Sequence, residues 1–417
     1  MRRLFVYLLT MAVATTAAAQ KFVGGDISML PKYEEKNAIY KDKDGKTIPD
    51  VLQFMKEQGM NAMRVRLFVD PSKASTTHQG EGVCQDLPYV KALGKRIKDA
   101  GLNFLLDFHY SDTWTDPGKH ATPASWTSTT AEGLAEELYN YTVNVLNELK
   151  DYGATPDFIQ VGNEITYGQL WPTGRIYPAG GAPSGGSWDN FYLYVKRGTE
   201  ACRLVCPDAK IIIHVEMSGE GKNVKPFFLY LHNVYQPDFD IIGLSYYPYF
   251  HGDLSKLESV LNDLEYYFPT KKIQLVEAGY PHAYYPSDAK FDYTATYPAT
   301  TEGQRQFTVA LIEKLNAHQN VDGLYWWWPE ANEFNVNWQD PVTKSGWYNM
   351  GLWDNYNGKA QTALYELKNF VDDPSGIQEV RQSSADGKWY TIDGRRLSER
   401  PTRTGVYLSN GRKVIVK

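Results

Sequence analysis

Cysteine is scarce in this chain, with only Cys84, Cys202 and Cys206 among 417 residues. An odd number leaves at least one thiol outside any internal disulfide, and no pair has metal-ligand spacing. Cys202 and Cys206 lie four apart on a predicted helix and share a face; two buried free thiols are expected there, with a disulfide between them as the alternative. Positive charge is also short. The 43 Lys and Arg against 49 Asp and Glu leave a net charge of −6 and a pI near 5.8. That balance excludes the electrostatic footprint of a nucleic-acid or anionic-membrane binder. Long apolar runs are confined to the N-terminus. Arg2 and Arg3, the apolar stretch Leu4 to Val13 and Ala17-Ala-Ala19 read as a signal peptide over 1–19. Its core is too short for a transmembrane helix, and no cysteine follows to take a lipid. The expectation is an exported protein, periplasmic, cell-surface or extracellular, with no transmembrane segment. The chain also lacks an H-x-H metal pair, a lysine closing a strand, and a phosphate loop. The Gly-rich stretch Ala179–Ser187 has no Lys-Ser/Thr ending.

Aromatic residues are abundant instead, at 14%, with 11 Trp and 30 Tyr. Many stand beside Pro, Gly and Asp in expected loops, where a core does not need them. Flat amphipathic rings in a groove suit sugars, whose faces are apolar and edges polar. The competing reading is that large barrels are simply rich in aromatics.

Short β-branched or apolar runs alternate with helical patterns. The expected strands are Phe22–Leu30, Ala62–Val69, Asn103–Tyr110, Asp157–Glu164, Lys210–Glu216, Phe239–Tyr247, Lys272–Tyr280 and Val321–Trp328. The helical segments between and after them are Ile48–Gln58, Asp86–Ala100, Thr130–Tyr152, Trp188–Val205, Val224–Val234, Leu254–Tyr267, Thr301–Gln319 and Ala360–Val371. Ser187 and Thr300 sit where helix N-caps belong. The fold class is therefore α/β, one parallel (β/α)8 TIM barrel over 20–372. Its long loops follow strands three, four, six, seven and eight, the face on which barrel sites form. Beyond the linker-like Asp372-Asp-Pro-Ser-Gly376, the runs near 389–392, 405–408 and 413–416, broken by Asp393-Gly394 and Asn410-Gly411, read as a small β-hairpin module over 373–417. It resembles the C-terminal sorting tails of bacterial secreted and surface enzymes; a stabilising cap on the barrel is the competing reading.

The chemistry concentrates in two runs, Phe158-Ile-Gln-Val-Gly-Asn-Glu164 and Ile273-Gln-Leu-Val-Glu-Ala-Gly279. Each carries a glutamate at the end of a buried strand, where a carboxylate is costly without a partner or a task. Hydrolysis of a glycosidic bond needs one group to protonate the leaving oxygen and another to meet the oxocarbenium-like carbon. Glu164 and Glu277 at one barrel mouth supply both. Arg64 and Arg66 lie two apart on strand two and point to the same side; a cation there would keep a neighbouring carboxylate charged.

The chain resembles glycoside hydrolase family 53, the arabinogalactan endo-β-1,4-galactanases of clan A, from about Lys21 to Val371. The matching motifs are Gly24-Gly-Asp-Ile-Ser28, Met63-Arg-Val-Arg-Leu-Phe-Val-Asp-Pro71, Asp107-Phe-His-Tyr-Ser-Asp-Thr-Trp-Thr-Asp-Pro-Gly118, Val161-Gly-Asn-Glu-Ile-Thr166, Leu170-Trp-Pro-Thr-Gly174, Gly243-Leu-Ser-Tyr-Tyr-Pro248 and Val276-Glu-Ala-Gly-Tyr280. The resemblance implies a retaining mechanism on pectic β-1,4-galactan, with Glu164 as acid/base and Glu277 as nucleophile. It further implies Arg64 beside the nucleophile and Asn163 on the sugar 2-hydroxyl. Tyr246 or Tyr247 would donate to the nucleophile, and Tyr247 shares a side with Gly243 and Ser245. Asp26, Arg66, His109, Asp112 and His214 are expected to bind sugar. Trp327 is expected to floor the scissile subsite, with Trp114, Trp171 and Trp347 stacking outer sugars.

The sequence departs from the family at Trp326-Trp-Trp328-Pro329, where tryptophan replaces a usual glutamate. Catalysis is expected to need no cofactor and no metal. A structural calcium in the loop after strand seven would have to draw on His282, Asp288 and Asp292, which lack the spacing of known sites. The chain is expected to act as a monomer on a polysaccharide. The alternatives are another clan A endoglycosidase acting on mannan or xylan, or a non-catalytic carbohydrate-binding barrel.

Overall fold

The computed structural model describes residues 20–176, 187–217 and 219–371, with 389–391, 396–397, 401–402, 405–409 and 412–416 of the C-terminal part. The signal-peptide stretch, most of the Gly-rich insertion, the linker and the two hairpin turns lie outside the described residues. Alternating apolar runs make eight parallel strands that close on themselves in sequence order. They are β1 Phe22–Asp26, β2 Ala62–Leu67, β3 Asn103–Phe108, β4 Phe158–Val161, β5 Lys210–Glu216, β6 Ile241–Tyr246, β7 Lys272–Ala278 and β8 Val321–Trp327. The barrel expected from the sequence is the one observed, with strands a few residues shorter at the C-terminal end.

The strands are buried on both faces. Outside, they pack under amphipathic helices such as Leu87–Asp99, Ala131–Asp151, Trp188–Val205 and Leu254–Tyr267. In Ala131–Asp151 the buried Leu134, Leu138, Val145 and Leu149 form one stripe, and Thr130 caps the start by accepting from Gly133 N–H. Cys202 and Cys206 are buried free thiols. Inside, Ala62, Leu105, Phe158, Ile212, Ile241, Val276 and Tyr325 fill one apolar cluster. Two positions further along their strands, the inward residues become Arg64, Asp107, Gln160 and His214, all fully buried. The barrel thus changes from an apolar plug to a charged floor within one pleat repeat.

Separately, β9 Trp389–Thr391, β10 Arg396–Leu397, β11 Gly405–Ser409 and β12 Arg412–Val416 form a four-stranded antiparallel sheet in the order β10-β9-β11-β12. The chain divides into two compact units between Asp372 and Asp373. No helix among the described residues is long and apolar enough to cross a membrane.

Candidate active site

Two irregularities deliver the glutamates to the mouth. On β7, Leu244 pairs with Leu275 but Ser245 pairs with Glu277, so Val276 is an extra residue. Strict alternation from Gln274 would turn Glu277 toward the helices; the bulge turns it inward. At β4 the strand ends at Val161. Gly162 (φ 93°) and Glu164 (φ 48°) then take left-handed backbone, a conformation that costs a non-glycine residue of order 1–3 kcal/mol. Two histidines hold it. Glu164 N–H donates to His214 Nδ1 at 3.2 Å, and Glu164 C=O meets His120 Nε2 at 3.2 Å.

Beneath the glutamates lies a charged network. Arg64 Nη1 meets Asp26 Oδ2 at 2.9 Å, and Nη2 meets Asp107 Oδ2 at 2.7 Å and Glu277 Oε1 at 2.9 Å. The same Nη2 donates to Asn163 Oδ1 at 2.8 Å. Three carboxylates hold the Arg64 guanidinium charged despite complete burial. Arg66 Nη1 donates to Asp26 Oδ1 at 2.8 Å. Its Nε and Nη2 have no acceptor among the described residues, and the guanidinium lies 4.6 Å from the Trp114 ring centre and 5.4 Å from that of Trp327. His109 Nδ1 receives Thr115 N–H at 3.1 Å, so its proton is on Nε2, 3.2 Å from Asp107 Oδ2. By the same logic His214 carries its proton on Nε2, directed at Ser245 Oγ at 2.8 Å. Burial keeps both imidazoles neutral, with pKa values below the usual range.

The two glutamates occupy different environments. Tyr247 O–H donates to Glu277 Oε2 at 3.0 Å, while Arg64 holds the other oxygen. Burial pushes the Glu277 carboxyl up to about 7, against the pull of Arg64 and Tyr247. For Glu164, burial acts together with the charges of Glu277 and Glu216 and raises it well above the carboxylate range. Among the described residues no cation reaches Glu164; Ser245 is its side-chain hydrogen-bond partner. A single proton shared by the pair therefore resides on Glu164, and Glu277 carries the charge.

A cavity of about 680 Å³ opens above this floor, and Asn163, Glu164, Tyr247, Glu277, Trp114, Trp327 and Trp347 all line it. Asn163 uses Oδ1 on Arg64 and donates from Nδ2 to Thr115 C=O at 2.9 Å; the second Nδ2 hydrogen is left for the cavity.

Other expected sugar ligands stand elsewhere. Asp26, Arg66, His109 and His214 lie in or below the charged floor, sealed by one another and by the residues above, and do not line the cavity; Arg64, in the same floor and also off the cavity lining, stands beside Glu277 as expected. Asp112 is tied into its loop, accepting from Asp70 N–H and Ala124 N–H. Tyr246 points to the helix side, donating to Gly252 C=O at 3.1 Å and stacking near Phe307. Trp171 rests under Arg175, 4.2 Å from its ring centre, and beside His120. Among the described residues no group of three or more His, Cys, Asp or Glu is placed to hold a metal, His282, Asp288 and Asp292 included.

Two residues not anticipated stand close to the chemistry. Asp107 joins Arg64 and His109. Glu216, at the end of β5, lines the cavity, accepts from Thr166 O–H and acts on Glu164. Its strand-end position carried the same signal that singled out Glu164. In the Trp326-Trp-Trp328-Pro329 segment, Trp328 is buried, lines the cavity and packs 5.6 Å from Arg66.

The family model described as glycosyl hydrolase family 53 matches residues 22–367. An uncharacterized protein of Niallia circulans is 33% identical over 360 residues, covering 83% of this chain and 93% of that protein. Arabinogalactan endo-beta-1,4-galactanase A of Aspergillus niger is 30% identical over 343 residues, covering 78% of this chain and 90% of that enzyme. The solved GH53 catalytic domain of Ignisphaera aggregans superposes with a TM-score of 0.72 at 29% identity, covering 86% of this chain and 98% of that one.

Proposed function

The chain belongs to glycosyl hydrolase family 53, and from that premise we propose that it is a retaining endo-β-1,4-galactanase acting on the galactan side chains of pectic arabinogalactan. The observation that carries the reading is the unlike setting of two carboxyls in one cavity. Glu277 has a cation and a phenol on its oxygens; Glu164 has burial and like charge. One is kept as a carboxylate and the other as an acid, the division of labour that double displacement needs.

In the first step Glu277 attacks the anomeric carbon while Glu164 gives its proton to the departing glycosidic oxygen, leaving a glycosyl ester on Glu277. Glu164, now a carboxylate, takes a proton from water. That water attacks the same carbon from the vacated side and releases Glu277, so two inversions give net retention. Asn163 Nδ2 is proposed to hold the 2-hydroxyl, where a hydrogen bond strengthens as the oxocarbenium character grows. The three tryptophans give the sugar faces something apolar to lie on. The sequence of residues 1–19 supports a setting outside the cytoplasm.

Reducing-end release from galactan, mannan and xylan tests the substrate, and galactan is expected to be the polymer cut. Azide rescue tests the roles. Glu277→Ala with azide should yield a glycosyl azide of inverted configuration. Glu164→Ala, given a substrate with a good leaving group, should yield one of retained configuration. Proton NMR reads the anomeric signal, and swapped outcomes for the two variants would overturn the assignment.

A further inference from the structure

On the long segment after β8, two large aromatic side chains stand in solvent side by side. Trp338 is 55% exposed and Tyr356 is 81% exposed. Their ring centres are 6.2 Å apart and their planes inclined by 31°. They line a cleft of about 460 Å³ together with Asn335, Asn337 and Asn355, and none of its lining residues belongs to the catalytic cavity. Tyr266 and Tyr267 are also exposed, but they stand edge to face at 84° on a helix, which offers no common surface.

The cleft is held in shape. Glu333 N–H donates to Asn355 Oδ1 at 2.9 Å, joining the two turns that carry the rings. Asp354 Oδ1 receives the N–H groups of Tyr356 and Asn357, and Asn337 Oδ1 receives Gln339 N–H. These bonds between backbone N–H groups and side-chain oxygens hold the two turns that carry the rings before any ligand arrives, which lowers the ordering cost of binding. Asn337 keeps its Nδ2 hydrogens and Asn335 its Oδ1 for a ligand, since their other amide atoms are the ones engaged. The one ionisable acid in the lining, Glu333, is buried. Two exposed ring faces inclined by 31°, with uncharged amide donors and acceptors beside them, fit a neutral pyranose chain.

We propose that the Trp338–Tyr356 cleft is a second, non-catalytic binding site for the β-galactan chain, anchoring the polymer while the catalytic cavity works on another stretch. The identity of the chain rests on the galactanase reading above. The test compares Glu277→Gln with Glu277→Gln carrying Trp338→Ala and Tyr356→Ala, by affinity electrophoresis through linear β-1,4-galactan. Losing both rings should weaken galactan binding by roughly tenfold, with an unchanged melting temperature. In the active background the same double variant should lose rate on dilute polymer and keep its rate on a galactotetraose. Equal retardation of both proteins overturns the proposal, and ring-dependent retardation by mannan or xylan but not galactan overturns its occupant. A wild type that leaves galactan uncut would instead refute the catalytic reading, whatever the gels show.

Discussion

At the scale of single residues, the site holds two carboxyls apart in proton affinity. Tyr247 donates to Glu277 and favours its charged form. Tyr247→Phe removes a charge-assisted hydrogen bond of about 1.5–3 kcal/mol, so kcat should fall roughly 10- to 100-fold. On the proposed mechanism Glu277 must be ionised to attack, so its pKa sets the acid limb of kcat/KM. Without the phenol the neutral form gains, and that limb should move to higher pH. Glu216 acts on the other partner, raising the pKa of Glu164. In the proposed acid role Glu164 must be protonated to act and sets the alkaline limb. Glu216→Gln removes a like charge, and the alkaline limb should move to lower pH while the acid limb stays. A pH profile of kcat/KM for each variant checks both shifts, and movement of the same limb in both would contradict the division.

At the scale of elements, the outer helices set where the strand ends sit. Gly198 lies in the helix Trp188–Val205 behind β4, and a Cβ built there would stand 2.5 Å from Val161 Cγ1. Gly→Ala within a helix ordinarily stabilises by roughly 0.5–1 kcal/mol. Here the added methyl presses on the strand that leads to Glu164, so Gly198→Ala should instead destabilise by about 1–3 kcal/mol. Urea denaturation at unchanged m-value measures it. The strands themselves were legible because β-branched runs buried on both faces announce themselves, and Lys210–Glu216 matched to the residue. Parity was legible where the pleat is regular, as in the choice of Tyr247 over Tyr246. It was not legible at β7, where an inserted Val276 reverses the face of Glu277. Depth was not legible either. Asp26, His109 and His214 read from the sequence as strand-end polar residues, but a strand-end position does not say whether a side chain lies in the floor or above it. That depends on what covers it, here Asn163 and Trp114 from the loops after β4 and β3 and Trp327 from the end of β8.

At the scale of the whole molecule, every residue placed around the cavity lies before Asp372, and the four-stranded sheet belongs to a separate compact unit. A chain ending at Asp372 should therefore cut galactan at a rate within about twofold of the full chain, a difference of under ~0.5 kcal/mol in the barrier. Initial rates at matched concentration check this. A truncated protein that melts cooperatively but has lost most of its turnover would show that the C-terminal unit serves the reaction.

The left-handed backbone at Glu164 bears on how such a barrel ages under selection. That conformation suits glycine or asparagine and burdens glutamate, and the burial of its carboxyl adds to the burden. A lineage that kept the groove for holding glycans but no longer needed turnover would gain stability by surrendering Glu164 first. Arg64, Asp107 and Glu277 would be kept longer, because removing any one strands buried charge in the others. If Glu164 is the acid proposed above, the residue at this single turn records whether a descendant still hydrolyses, and in this chain it is glutamate.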